Sequence, residues 1–302
     1  MEENHKAQDK KNDDVKKHPV LRKAVIATII LAFLTGVLYT VMFVNNNVSF
    51  ISDEAFAKQI DAAIEKALAW TQTHKTEIMI RKNFGLIKML NDINKLKSIP
   101  VLSDIVENIM VSPELPNCWK RLFDPNRPID MFELNSLMKK EHLDNKWVLY
   151  ALAPDEAKIT PEQLQLFEPE RWWGRRLAHQ LDALTTLRNT KGANEEIDEL
   201  INHLCNRLRV EITFDALIVD IGKNVFILRA GHPEKIRRRW IERVIAKQSQ
   251  DGGWDNRWFC FSSNVEILPD FTSRKTNQHD TLLALTLLYM VKYQYPEYFG
   301  LK

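Results

Sequence analysis

The chain has 302 residues, with 42 Lys and Arg against 40 Asp and Glu, a net charge of +2 and three cysteines. That near-neutral balance excludes an electrostatic nucleic-acid binder, and three cysteines without metal-type spacing exclude a disulfide scaffold or a zinc framework. The apolar share, 45%, is enough to build one large domain or two modest ones.

The first predicted element is Ala24–Val44, AVIATIILAFLTGVLYTVMFV, a run of 21 residues without a charged side chain. As a helix it is about 31 Å long, the thickness of a bilayer's hydrocarbon core. Lys6, Lys10, Lys11, Lys16, Lys17, Arg22 and Lys23 precede it, whereas Asn45–Ile64 carries Lys58 as its sole basic residue. The asymmetry predicts a single span: a cytoplasmic tail (1–23), a signal anchor (24–44) and an extracytoplasmic part (45–302). A cleaved signal peptide would be shorter and end in small residues, and a core helix would show a polar face. Few cysteines and one sequon, Asn47-Val48-Ser49, beside the predicted membrane favour a bacterial inner membrane and a periplasmic domain over a eukaryotic type II protein, the alternative left open.

Beyond the anchor the pattern is helical throughout, so the expected fold class is all-α. Ser52 caps a helix through Phe56, Ile60, Ala63, Ile64, Ala67 and Leu68. A second helix is predicted over 77–97, with Ile80, Phe84, Ile87, Leu90 and Leu96 inward, stopped by Pro100 before a shorter segment at 101–111. Pro113, Pro116, Pro125 and Pro128 make 112–128 a long loop or a seam between two sub-bundles. Thr160-Pro161-Glu162-Gln163 reads as a capping box opening a helix. Further helices are predicted over 170–188, from the Asn194 cap to 209, and over 214–229, which Gly231 closes in a left-handed conformation. An amphipathic helix over 234–248 follows, with Ile236, Trp240, Ile241, Val244 and Ile245 inward and Arg237, Arg238, Glu242 and Lys247 outward. The last helix, 280–293, is apolar almost all round, as an inner helix of a layered α/α architecture would be.

The segment from Arg239 to Trp254, RWIERVIAKQSQDGGW, carries the most specific pattern. It resembles the QW repeat of squalene-hopene and oxidosqualene cyclases, and the related helix–Asp-Gly-Gly-Trp arrangement of prenyltransferase subunits and thioester-domain-like proteins. Gln248 can satisfy carbonyls at the helix end, Asp251, Gly252 and Gly253 make the turn, and Trp254 packs back over it. Ala62–Lys75 looks like a degenerate copy. The resemblance covers about residues 231–293 and implies an α/α toroid. It does not carry the cyclases' activity, because the Asp-x-Asp-Asp motif is absent: the adjacent pair Asp13-Asp14 lies in the tail. Nor is there a match to prenyltransferase-type zinc ligation, so no metal or other cofactor is expected.

Candidate sites follow from polar residues on apolar helices. His179, Asp182 and Thr186 share one face, either a solvated stripe, which is the commoner arrangement, or a wall of a cavity where a His–Asp pair does acid–base work. His279 and Asp280 open the last helix; capping explains Asp280 and leaves His279 as a residue for a pocket mouth. Asp220, mid-helix, has Lys223 and Asn224 in reach and is read as an ion pair, and Asp215 as a charge at a helix start. Trp173 and Trp258, with Trp172 and Trp254, could bind an apolar or sugar ligand. His232 reads as structural. Cys118 and Cys260 are the expected disulfide pair and Cys205 a buried thiol. Two functions remain open: a non-catalytic envelope domain that binds a protein, lipid or glycan, and a toroid enzyme acting on a lipid or glycan at the membrane face. The enzyme needs one central cavity lined by the candidate catalytic residues His179, Asp182, Asp220 and His279 together.

Overall fold

The computed structural model describes the backbone of residues 2–81, 84–214, 220–255 and 276–301, and side chains from Lys23 onward within these, other than those at 81 and 84. It divides into two units, residues 1–46 and 47–302. The helices are α1 (Glu2–Asn47), α2 (Asp53–Thr73), α3 (Lys75–Arg81), α4 (Phe84–Leu96), α5 (Pro100–Val111), α6 (Asn117–Lys120), α7 (Met131–Lys140), α8 (Leu143–Leu152), α9 (Arg175–Lys191), α10 (Glu195–Phe214), α11 (Ile221–Arg229), α12 (Arg238–Ile245) and α13 (Gln278–Tyr289). The fold is all-α: among the described residues the sole β-type pairing is an isolated bridge between Trp254 and Asn277.

Within α1, the stretch Lys23–Asn47 is long and apolar enough to cross a membrane. Its threonines do not interrupt that character. The hydroxyls of Thr28, Thr35 and Thr40 donate to the carbonyls of Ala24, Leu31 and Gly36 one turn back, at 3.0, 2.8 and 2.8 Å. Each side-chain donor is thus satisfied within the helix, as a hydrocarbon surround demands.

In the second unit, α13 is one hub and packs against α2, α4 and α11; α9 is the other and packs against α8, α10 and α11. α11 therefore bridges the two. The continuous apolar surface of α13 explains its place: Leu282, Leu283, Ala284, Leu285, Leu287 and Leu288 are all buried. Ser52 caps α2, accepting from the Ala55 N–H at 3.2 Å. Gly231 ends α11 at φ +86°. There the Gly231 N–H donates to the Leu228 carbonyl and the His232 N–H to Ile227, the paired bonds of a Schellman motif.

Several boundaries differ from the sequence expectation. The run over 77–97 is two helices, α3 and α4. In α3 it is Ile78 that turns inward, leaving Ile80 on the far side of the helix and 71% exposed; Leu96, at the end of α4, is also exposed. Pro100 starts α5 at its first position, where its missing N–H costs nothing. The 112–128 stretch holds α6 and buries Leu115, Cys118, Trp119 and Leu122. The box at Thr160 does form, with reciprocal bonds to Gln163 at 2.9 and 3.3 Å. It closes a turn rather than a helix, because Gln165 takes φ +55° and the chain reverses. α9 begins only after Gly174, at φ +58°, and Asn194 caps α10, which runs on to Phe214. The helix expected over 234–248 is a 3-10 turn at Pro233–Lys235 followed by the shorter α12.

Candidate functional site

The turn after α12 locks three helices together. Gln248 Nε2 donates to the Ala63 carbonyl of α2 at 2.8 Å and to the Gly252 carbonyl at 2.9 Å. It therefore ties the turn to a neighbouring helix rather than capping its own. Asp251 accepts from the Gly253 N–H and from the Thr276 hydroxyl, which itself accepts from Trp70 Nε1. Gly252 sits at φ +92°, and a Cβ there would lie 2.3 Å from the Lys66 carbonyl oxygen; one on Gly253 would lie 2.7 Å from Trp70 Nε1. Only glycine permits that approach. Trp254 is buried over the end of α12, its Nε1 donating to the Val244 carbonyl at 2.8 Å and its backbone N–H to the Thr281 hydroxyl of α13 at 2.9 Å.

Between the hubs lies a cluster of charged side chains. Asp182 of α9 is paired with Arg229 of α11, each side chain 12% exposed. Its stripe is therefore not a solvated face; Thr186, one turn on, is buried too. Lys88 of α4 pairs with Asp92 one turn along. Burial, then the nearby Arg229 guanidinium, lowers the Lys88 ammonium below its ordinary pKa, against the opposing pull of Asp92 and Asp182.

His179, one turn before Asp182, packs its ring against Phe226 with centroids 5.8 Å apart. Its Nε2 accepts from Arg175 Nε at 3.3 Å, which places the proton of the neutral ring on Nδ1. Burial holds His179 below the usual histidine pKa; Arg175 and His279 act in the same direction, and Asp144 and Asp182 oppose them.

His279 lines a cavity of about 200 Å³ between α3, α4 and α13. Ile78, Leu86, Ile87 and Leu282 line it together with the polar Asn277 and Gln278. His279 Nδ1 lies 3.1 Å from Asp280 Oδ1, and its side chain is 43% exposed. Asp280 is not the cap of α13. Asn277 is: its Oδ1 accepts from the Asp280 N–H at 2.9 Å, while its Nδ2 donates to Asp280 Oδ2 at 2.6 Å. The aspartate is thereby fixed and orients the histidine.

His179, Asp182 and His279 thus share one neighbourhood. Asp220 belongs to another group: it is the N-cap of α11, not a mid-helix residue, accepting from the Lys223 N–H at 3.0 Å. Its second oxygen lies 3.2 Å from the Lys223 ammonium, which also meets Glu211 at 3.0 Å. Trp173 is 76% exposed, with the Arg207 guanidinium 5.6 Å from its ring centre. His232 pairs with Glu234 at 3.0 Å. Trp258, Asp215 and Cys260 lie outside the described residues. Cys118 carries a free, buried thiol, which corrects the expected Cys118–Cys260 bond; burial, with Glu133 beside it, pushes its pKa up to about 12. Cys205 is likewise free and pushed up by burial to about 12. Glu242, expected to face solvent, is buried among Arg238, Arg239 and Ser49. Among the described residues no group of His, Cys, Asp and Glu is arranged to hold a metal ion.

Lys88, Asp92, Arg229 and Asp144 were not singled out from the sequence. The available signal is Lys88 between two buried apolar neighbours, Ile87 and Met89, on an amphipathic helix.

No protein-family model, curated protein or solved structure matches this chain.

Proposed function

We propose that the chain is a membrane-anchored helical domain, displayed outside the cytoplasm, that binds a partner polypeptide through the cavity at His279. The observation that carries this is the cavity's size and lining. About 200 Å³ of space lined by four apolar and three polar residues falls below the range of drug-sized ligand sites, roughly 300–1,000 Å³, and suits one side chain of a partner. Pockets that accept a single anchor residue are where binding energy concentrates at protein interfaces. The charged cluster supports binding over chemistry: Asp182 is taken up by Arg229, which ties α9 to α11, and Lys88 by Asp92 within α4. The resemblance of the turn at 248–254 to α/α toroids supports this reading, since in a toroid the cavity would lie at the start of an inner helix, α13.

The His279–Asp280 pair favours a second reading. An exposed imidazole oriented by a buried carboxylate is the arrangement of a general base, which suits an enzyme acting on a lipid or glycan at the membrane face.

A photoreactive benzophenone side chain at position 279 of the full chain, in its native membrane, separates the two. The binding reading expects a discrete protein-sized adduct, lost when Ile87→Phe fills the cavity without lowering the melting temperature. Adducts of lipid or glycan size would favour the enzyme reading. An adduct pattern identical to that from Phe132, an exposed aromatic at another site, would remove the cavity from the account.

A further inference from the structure

A second surface of the 47–302 unit lies where the chain emerges from the apolar helix. Asn47 follows Val44 by three residues, so it stays within about 11 Å of the end of the uncharged run whatever path the chain takes. Asn47 is also fixed into the domain. Its Nδ2 donates to the Thr213 carbonyl at 2.9 Å, and its Oδ1 accepts from Trp240 Nε1 at 3.2 Å. These two bonds place the end of α10 and the start of α12 at the exit point.

What surrounds that point is apolar and basic. Phe214 and Val210, one turn apart on α10, are 57% and 55% exposed, and Phe50 and Val48 are 71% and 43% exposed. Arg209 is exposed beside Val210. Arg237 lies over Trp240, its guanidinium 5.8 Å from the ring centre, and close enough to Arg209 for their charges to repel. Among the described residues neither arginine has a carboxylate partner. Trp173, stacked with Arg207, extends the same exposed side of α10: its neighbour Gly174 donates its N–H to Glu211 at 3.3 Å.

We propose that this face, with Val48, Phe50, Arg209, Val210, Phe214 and Arg237, lies against the lipid headgroup layer of the membrane that α1 spans, and that its two arginines take a lipid phosphate. The inference rests on the anchor reading and commits to the bilayer because the covalent link at Asn47 holds the face there. The headgroup region adds only about 5–8 Å beyond each side of the hydrocarbon core, so side chains packed around Asn47 are within its reach. Aromatic rings and arginines are the residues that settle at that depth, apolar parts inward and guanidinium groups at the phosphates. Two neighbouring arginines without a carboxylate lack a counter-charge that an anionic lipid supplies.

The test places an environment-sensitive nitrobenzoxadiazole label on Val210→Cys in the full chain with Cys260→Ser. The buried thiols of Cys118 and Cys205 stay unlabelled. The protein is inserted into vesicles of phosphatidylcholine with or without phosphatidylglycerol, which are then washed at alkaline pH and floated. The proposal expects label emission shifted to the blue, quenching by spin labels on the lipids, and loss of much of that quenching in Arg209→Glu/Arg237→Glu. Inserted protein with a water-like, unquenched label overturns the proposal while leaving the anchor intact. A blue shift without lipid quenching assigns the face to a second copy of the chain and overturns it as well. Unchanged quenching in the double variant overturns the role of the arginines. Protein stripped from the vesicles by the wash overturns the anchor itself.

Discussion

Asp182 on α9 and Arg229 on α11, 47 residues apart in the chain, form an ion pair with each side chain only 12% exposed. The pair joins the hub α9 to the bridging helix α11, and Lys88 stands close enough to feel both charges. Its partners are mutually dependent: without Asp182, Arg229 and Lys88 are left as neighbouring cations in a poorly solvated space.

Asp182→Ala is therefore expected to destabilise the domain by about 3–5 kcal/mol, the cost of leaving a buried charge without its partner. Asp182→Ala combined with Arg229→Met should recover much of that loss. Chemical denaturation of the single and double variants measures both. A loss below about 1 kcal/mol in the single variant would mean that water already screens the pair.

The turn at Gly252 makes a steric prediction. Gly252→Ala introduces a Cβ 2.3 Å from the Lys66 carbonyl oxygen and also strains a residue at φ +92°. The expected cost is about 2–4 kcal/mol. Gly192 has a similar φ, +93°, but open space around it, so Gly192→Ala carries the backbone strain alone, about 1–3 kcal/mol. Melting curves of the two variants, compared directly, separate close approach from backbone strain. Equal losses would show that α2 gives way at Lys66.

Histidine burial sets a pH dependence. His179 has a folded pKa below its ordinary 6.5, so the unfolded chain takes up a proton first as the pH falls. Its contribution is neutral above that value, where both states carry an uncharged ring, and becomes destabilising as pH drops through it. The groups facing it are Asp144 on α8, Arg175 and Asp182 on α9 and His279 on α13. His179→Gln should therefore flatten the fall in melting temperature between neutral and mildly acidic pH. A fall as steep as in the parent chain would assign the acid limb to other groups.

The parts of the fold that were legible in the sequence are those set by local pattern. The uniform apolar surface of α13 marks an inner helix without knowledge of its neighbours, and Ser52 and Asn194 are caps because their oxygens meet N–H groups two or three residues on. What was not legible depends on distant partners. The stripe of His179, Asp182 and Thr186 has the same spacing whether it faces water or a neighbour, and what decides it is Arg229, on another helix. Glu242 looked solvated on a wheel of α12 alone, and the cap at Asn277 was masked by the more acidic Asp280. The cavity at His279 needed Ile78 and Leu86 from α3 and α4, which no local pattern connects to α13.

The account depends most on the domain standing outside the cytoplasm on one helix. Fusing alkaline phosphatase, which is active only outside the cytoplasm, after Lys302 of the full chain, with a green fluorescent protein fusion at the same site as its counterpart, tests this in one experiment. The account predicts an active phosphatase and a dark fluorescent fusion at comparable expression. An inactive phosphatase with a bright fluorescent fusion would put the cavity, the His279 site and the lipid-facing surface on the cytoplasmic side and contradict it.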